Sequence, residues 1–168
     1  MAAFNLLRLA KLLSPFCACL LLNILSLSPW GWDIVSHRSV PFVFGIVFYF
    51  AIFNPHALSG WAVFILGLAT DAMVEAPFGI HGFIYSLLFF LVYFNRRPLG
   101  EMSFIRLWQI FAIVAGFLMA VWYLMVSVAT GFFQSLSSAF IPYAFVVLTY
   151  PLAMWLSHGL DKWIRGRA

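Results

Sequence analysis

Six long runs of apolar side chains, separated by short connections, constrain the fold of this chain most strongly. They cover about residues 12–27, 40–53, 58–74, 80–94, 104–128 and 139–157. Runs of this length suit helices that cross the roughly 30 Å hydrocarbon core of a bilayer. With 65% hydrophobic and 8% charged residues, the 168-residue chain would not stay dispersed in water. The sequence therefore predicts an all-α, polytopic membrane protein with six transmembrane helices in one transmembrane domain over residues 1–168.

The basic residues decide the number of crossings. The run over 40–53 is short, and by length alone it could be a re-entrant segment. With six crossings and a cytoplasmic amino terminus, only Arg38 falls outside. The basic residues then inside are Arg8, Lys11, Arg96, Arg97, Arg106, Lys162, Arg165 and Arg167. Because short cytoplasmic loops are enriched in Lys and Arg, we expect both termini to be cytoplasmic.

The first apolar run resembles a signal peptide, since Arg8 and Lys11 precede it. We nevertheless expect it to be a retained helix and not a cleaved signal peptide. Cys17 and Cys19 lie two positions apart within it and point to roughly opposite sides of a helix. They are not placed to pair with each other, and we expect both to be buried small hydrophobic residues.

Two of the five acidic residues, Asp71 and Glu75, lie in the segment GLATDAMVEAPFGIHG, residues 67–82. Asp71 comes late in the third run, near the predicted outer interface. A carboxylate there normally faces a polar partner, so we expect it to bind backbone amides or His81 in the PFGIHG turn. Direct contact with a partner or ligand is the alternative. Pro77 should end the helix, which leaves Glu75 in a solvated loop.

Small residues within the runs predict close helix packing, and one proline predicts a bend. The small residues are Gly45, Gly60, Gly67 and Gly116. Pro151 lies inside the sixth run and has no N–H to donate to the carbonyl of Val147. We therefore expect a bent sixth helix.

No pattern in the chain indicates catalysis. His37 and His81 fall on the predicted outer side and His56 and His158 on the inner side, so no metal constellation assembles. Asp71, Glu75 and His81 are the residues of metal-binding types that fall together on the outer side, and by themselves they indicate a metal site only weakly. The sequence has no nucleophile–base spacing and no phosphate-binding glycine loop. We expect no catalytic residue, cofactor or metal, and no nucleic-acid partner.

The order of these features resembles the MreD family of bacterial rod shape-determining membrane proteins. That family has an apolar helix with a G-x-x-x-D motif, followed after a short turn by P-L-G. Here the motif reads Gly67, Asp71, Pro77 and Gly79, with Phe78 where the family often has leucine. The resemblance implies that Asp71 is the hallmark aspartate, Gly79 the turn glycine and Gly67 the small packing residue.

The resemblance also implies a function and a location. A member would be a non-catalytic scaffold of the cell-elongation complex in the bacterial cytoplasmic membrane. Its implied partners are MreC, which has one span and a large periplasmic part, the MreB filament, and a SEDS glycosyltransferase with its transpeptidase. The family's fold is similar to the substrate-binding subunits of energy-coupling-factor transporters, so a vitamin-binding transporter subunit is the alternative, with Asp71 and His81 lining an outer pocket. A proton-coupled carrier using Asp71 is a third hypothesis.

Overall fold

A computed structural model of the chain describes residues 16–21, 24, 42–74, 78–131 and 137–165, which are helical except at short turns. We label residues 16–21 as α1. The later helices are α2 (Phe42–Phe53), α3 (Gly60–Val74), α4 (Ile80–Phe94), α5 (Arg96–Gly100), α6 (Phe104–Thr130) and α7 (Ser137–Arg165). Within these residues no strand occurs, so the prediction of an all-α fold is confirmed for the part of the chain that the structure describes.

Helix boundaries agree best where the sequence carries a turn signal. Helix α4 has the same bounds as the apolar run over 80–94, whereas α7 continues eight residues past Ser157, where the sixth apolar run ends. The apolar run ends at Ser157, but helical hydrogen bonding does not require apolar side chains. The segment RRPLG, which lies in the connection between the fourth and fifth apolar runs, forms α5. Pro98 fits its first turn, where a backbone N–H has no intrahelical acceptor.

Two segments are long and apolar enough to cross a membrane, Phe104–Thr130 and Pro142–Trp163. The apolar helices α2, α3 and α4 have only 12, 15 and 15 residues. At 1.5 Å per residue they rise about 18 to 22 Å, which is less than the bilayer core. Six crossings and cytoplasmic termini therefore remain predictions.

Helix α2 lies at the centre of the described bundle. Every residue from Val43 to Ile52 is buried, and the helix contacts α4, α5, α6 and α7. A helix surrounded on all sides needs no polar face, which explains its uniformly apolar sequence. Phe48 packs edge-on against Phe111 and Tyr150, with ring centroids 5.2 and 5.8 Å away.

The first run is confirmed as helical over residues 16–21, but the burial predicted for one of its cysteines is wrong. Cys19 is buried, as predicted, whereas Cys17 is exposed, and both are free thiols. Two positions along a helix turn a side chain by about 200°, so burial of one cysteine turns the other away from the core. Arg8, Lys11 and Trp30 lie outside the described residues.

Close approach between α2 and α7 depends on Gly45. A Cβ atom at this position would lie only 2.6 Å from the Cβ atom of Ala153 and 3.9 Å from Cδ2 of Tyr150. The first distance is far below ordinary van der Waals contact, so any larger residue would push the two helices apart. The predicted packing role of Gly45 is thus confirmed within this chain.

A side chain of another helix supplies the hydrogen-bond donor that Pro151 lacks. The carbonyl of Val147, which Pro151 leaves without a helical donor, accepts a hydrogen bond of 2.9 Å from Nε1 of Trp108 on α6. The indole thereby joins α6 to α7 at the site of the broken helical ladder. Because the carbonyl lies in an apolar region, the loss of this donor should be costly.

A double-mutant cycle tests whether the Trp108 hydrogen bond replaces the helical hydrogen bond that Pro151 removes. Trp108→Phe should lower the free energy of unfolding by about 1 kcal/mol or more, because the Val147 carbonyl loses its donor. In a Pro151→Ala background the new N–H at position 151 serves that carbonyl, so the same change should cost less. The four proteins are compared by thermal unfolding in detergent. An equal cost in both backgrounds would show that the indole bond does not replace the helical one.

Candidate functional site

The Asp71 carboxylate lies at the end of α3, on the face that the helix turns toward the bundle. The buried residues of α3 are Val63, Leu66, Gly67, Thr70 and Asp71, spaced i, i+3, i+4, i+7 and i+8. Asp71 is 0% exposed. A fully buried carboxylate needs hydrogen-bond donors to offset its loss of hydration, so its partners define the site.

The donors come from the first turn of α4 and from the residue before it. Oδ2 of Asp71 accepts hydrogen bonds from the backbone N–H of Gly79 at 2.9 Å and from that of Gly82 at 3.4 Å. Oδ1 accepts from the backbone N–H of His81 at 3.0 Å. The first N–H groups of a helix have no acceptor within that helix. Asp71 therefore caps α4 from a neighbouring helix, and its negative charge suits the positive end of the α4 dipole.

The imidazole of His81 completes the arrangement. Its Nδ1 lies 2.7 Å from Oδ1 of Asp71, and the pair is almost fully shielded. An ionised carboxylate only accepts hydrogen bonds, so Nδ1 carries the proton in this contact. The ring also lies near Tyr85 and Trp122, with centroids 6.0 and 6.1 Å away. These neighbours hold the imidazole against the carboxylate and exclude solvent.

The turn that delivers these donors requires glycine at position 79. Gly79 has φ 99° and ψ −11°, in the left-handed region, and provides no side-chain cap for α4. The Asp71 carboxylate supplies that cap. The preceding residue, Phe78, is 81% exposed. The turn is thus held at Gly79 by the buried Asp71 and exposes the aromatic side chain of Phe78.

Gly79→Ala should destabilise the fold by about 1–2 kcal/mol, because a Cβ atom is disfavoured at this positive φ. Gly131 is a matched control, since it has φ 70° and likewise has open space where an added methyl group would lie. We expect both Ala variants to lower the melting temperature in detergent. Only Gly79→Ala should also weaken contacts made through the turn. Full stability of Gly79→Ala would contradict the strain argument.

Gly67 sets the distance between α3 and α4. A Cβ atom at position 67 would lie 2.4 Å from Cα of Gly82 and 2.5 Å from its backbone nitrogen. The two backbones are therefore in direct contact, as small residues allow. Asp71 follows Gly67 by four residues, one turn further on the same face. This geometry explains the G-x-x-x-D spacing, because the close approach brings the carboxylate within reach of the α4 amides.

The structure brings together Gly67, Asp71 and Gly79 of the predicted motif. Asp71 binds backbone amides and His81, as expected from its position near the end of an apolar helix. Pro77 and Glu75 lie outside the described residues. Sequence analysis missed Gly82, because no local pattern in the chain indicates its contact with Gly67.

This arrangement does not fit the pocket on which the vitamin-binding alternative rested. That alternative required Asp71 and His81 to line an outer pocket, whereas Asp71 is 0% exposed and its oxygens bind the turn. Among the residues that the structure describes, no group of three or more His, Cys, Asp or Glu side chains is placed to hold a metal. The geometry indicates a structural role for Asp71, whose hydrogen bonds hold α3 and α4 together.

Comparison with known proteins gives one family. The profile described as "MreD: rod shape-determining protein MreD" matches residues 7–160, which is nearly the whole chain. No curated protein and no solved structure matches the chain. The matched range includes the full segment from Gly67 to Gly82.

Proposed function

Since the chain belongs to the MreD family of rod shape-determining proteins, we propose that it is a non-catalytic scaffold of the bacterial cell-elongation complex. In this proposal it spans the cytoplasmic membrane six times with both termini in the cytoplasm. The Asp71 turn then faces the periplasm. Its first partner is MreC, and through MreC or directly it connects the MreB filament with the peptidoglycan synthase pair.

One observation carries the proposal of a partner surface: the buried carboxylate of Asp71 fixes a turn whose tip is exposed. Three backbone N–H groups and an imidazole converge on this carboxylate, while Phe78 is 81% exposed. Aromatic side chains are frequent anchors at interfaces, and the backbone that follows this one is already held by Asp71, so a partner that covers Phe78 has less backbone to order. The hydrogen bonds to the turn explain why the charged side chain of Asp71 is buried, and Phe78 gives the partner a contact.

The predicted topology supports MreC as the partner at this end. From α2 to α7 the connections between helices are short, so helix faces and turns form most of the surface that this part of the chain offers a partner. A single-span protein with a large periplasmic part reaches both the bilayer and the outer turns. The Phe78 tip lies where these two regions meet in the proposed orientation.

Depletion in the bacterium that encodes the protein tests the functional class. We expect depleted rods to round up or lyse and a plasmid copy of the wild-type chain to restore their shape. Asp71→Ala should restore it poorly, whereas Gly159→Ala, at a helical position with open space, should restore it fully. Membrane levels are measured by immunoblot in each strain. Normal rods after complete depletion would refute the scaffold proposal.

A further inference from the structure

A groove of about 550 Å³ lies at the end of the bundle opposite Asp71, between α2, the start of α6 and the later turns of α7. Part of its wall is apolar and consists of Phe104, Pro151 and Trp155. The side chains of Phe104 and Trp155 are 44% and 75% exposed. The apolar wall is therefore open to whatever surrounds the bundle.

The position of the groove along α7 places its apolar wall in the hydrocarbon layer of a bilayer. The apolar segment of α7 runs over Pro142–Trp163, so Lys162 lies one residue from its end. Trp155 and Pro151 precede Lys162 by seven and eleven residues, which places them about 10 and 16 Å deeper along the helix. The wall therefore faces acyl chains, and Lys162 lies at the level of the head groups.

Lys162 supplies a positive charge at the head-group end of the groove. It follows the lining residues Trp155 and His158 by seven and four positions, a spacing that keeps side chains on one face of a helix. Its side chain is exposed, and within the described part of the chain it forms no ion pair with an acidic residue. A lysine near the end of an apolar helix extends its ammonium group toward the bilayer surface. Phosphate oxygens are the strong hydrogen-bond acceptors at that level.

The polar side chains deeper in the groove have partners within the protein. Asp161 is only 6% exposed, and its Oδ1 accepts a hydrogen bond of 3.0 Å from Nδ2 of Asn54, which is not its only partner. Nδ1 of His158 lies 3.2 Å from the hydroxyl of Tyr49. One position along a helix turns a side chain by about 100°, so Asp161 points toward α2 while Lys162 points to the mouth of the groove. The Asp161 carboxylate thus does not face the position that a phosphate group beside Lys162 would take.

We propose that this groove binds a phospholipid whose head group carries a net negative charge. One acyl chain lies along Phe104, Pro151 and Trp155, and the phosphate group accepts a hydrogen bond from the ammonium group of Lys162. The depth of the apolar wall selects a lipid as the occupant, because acyl chains surround that wall in a bilayer. The lysine selects an anionic head group over a zwitterionic one, whose own ammonium group it repels.

The test measures which lipid the whole protein retains. The purified, delipidated chain is reconstituted into vesicles of equal parts phosphatidylglycerol and phosphatidylethanolamine with matched acyl chains. It is then extracted in mild detergent and examined by native mass spectrometry. We expect phosphatidylglycerol to be enriched about threefold, as one exposed ion pair would give. Lys162→Gln should remove the enrichment because it removes the charge, and Lys162→Arg should keep it.

Matched variants separate the groove from general effects of charge and hydrophobicity. Arg106→Gln removes an exposed basic side chain at the same end of the bundle. Arg106 follows the lining residue Phe104 by two positions and so points away from the groove, and the enrichment should persist. Trp155→Ala shortens the apolar wall and should reduce the total lipid retained without changing the preference between head groups. Leu148→Ala, at an exposed position of α7 outside the groove lining, should leave lipid retention unchanged.

Several results would overturn the proposal. They are equal retention of both lipids, enrichment of phosphatidylethanolamine, no retained lipid, an enrichment that survives Lys162→Gln, or one that Arg106→Gln also removes. A lipid-free dimer that Trp155→Ala dissociates would instead assign the groove to a second copy of the chain. Lys162 and Trp155 are exposed, so their variants should fold. The outcome is independent of the scaffold proposal, because MreC binding is assigned to the opposite end of the bundle.

Discussion

Asp71→Ala is expected to lower the free energy of unfolding by about 3 kcal/mol or more, since buried donors left without an acceptor cost about 1–3 kcal/mol each. The change removes the acceptor from the N–H groups of Gly79, His81 and Gly82, and from the imidazole of His81. Alanine also leaves a small void at a fully buried position. Thermal unfolding in detergent measures the loss.

Asp71→Asn is the matched comparison for that prediction. Asparagine keeps one acceptor oxygen, but its amide group points a donor at N–H groups that also donate. We expect a loss smaller than that of the alanine variant and still clearly measurable. If both variants melt within the error of the wild type, the carboxylate does not stabilise the first turn of α4.

Gly67→Ala is expected to have the second large effect. The added methyl group would lie 2.4 Å from Cα of Gly82, so the clash is with backbone and no side chain can rotate away. Helices α3 and α4 must separate, at a cost of about 1–3 kcal/mol typical of overpacking. Separation also lengthens the hydrogen bonds of Asp71, one turn further along α3. We expect a lower melting temperature and weaker rescue of cell shape.

Two controls make the Gly67 prediction specific. Gly159→Ala places a methyl group in open space on α7, so alanine's higher helix propensity should leave stability equal or slightly raised. In an Asp71→Ala background, Gly67→Ala should cost less than in the wild type, because the hydrogen bonds that it disturbs are already absent. Equal costs in both backgrounds would show that Gly67 acts on packing alone.

The sequence predicted the helices well where local signals are strong. The apolar run over 80–94 coincides with α4, because the sequence Pro-Phe-Gly precedes it and a polar, proline-containing segment follows it. The sixth apolar run ends at Ser157, where hydropathy falls, while helix α7 continues to Arg165. Hydropathy indicates which side chains lie in the membrane, and a helix can continue beyond that region.

Tertiary neighbours account for what the sequence did not reveal. A buried carboxylate near a turn was enough to predict that Asp71 binds backbone amides or His81. The role of Gly82 was not predictable, because its contact with Gly67 depends on how α3 and α4 align in space. The same holds for Trp108, which lies 39 positions from the Val147 carbonyl that it serves. The interior position of α2 was also missed, because an apolar helix can have either lipid or protein around it.

The most direct test of the central claim is capture of MreC by variants of the exposed turn. The tagged chain is purified in mild detergent from its native membrane, and co-purifying MreC is quantified by mass spectrometry. Phe78→Ser alters the exposed tip beside Asp71, and Phe94→Ser is its control at the other end of the bundle, since these side chains are 81% and 78% exposed. Both variants should retain the stability of the wild type.

We expect wild type and Phe94→Ser to recover MreC equally and Phe78→Ser to recover much less. That result would place the partner contact at the turn held by Asp71. Undiminished recovery of MreC by a stable Phe78→Ser variant, or no recovery by the wild type, would contradict the claim that this turn is the MreC-binding surface.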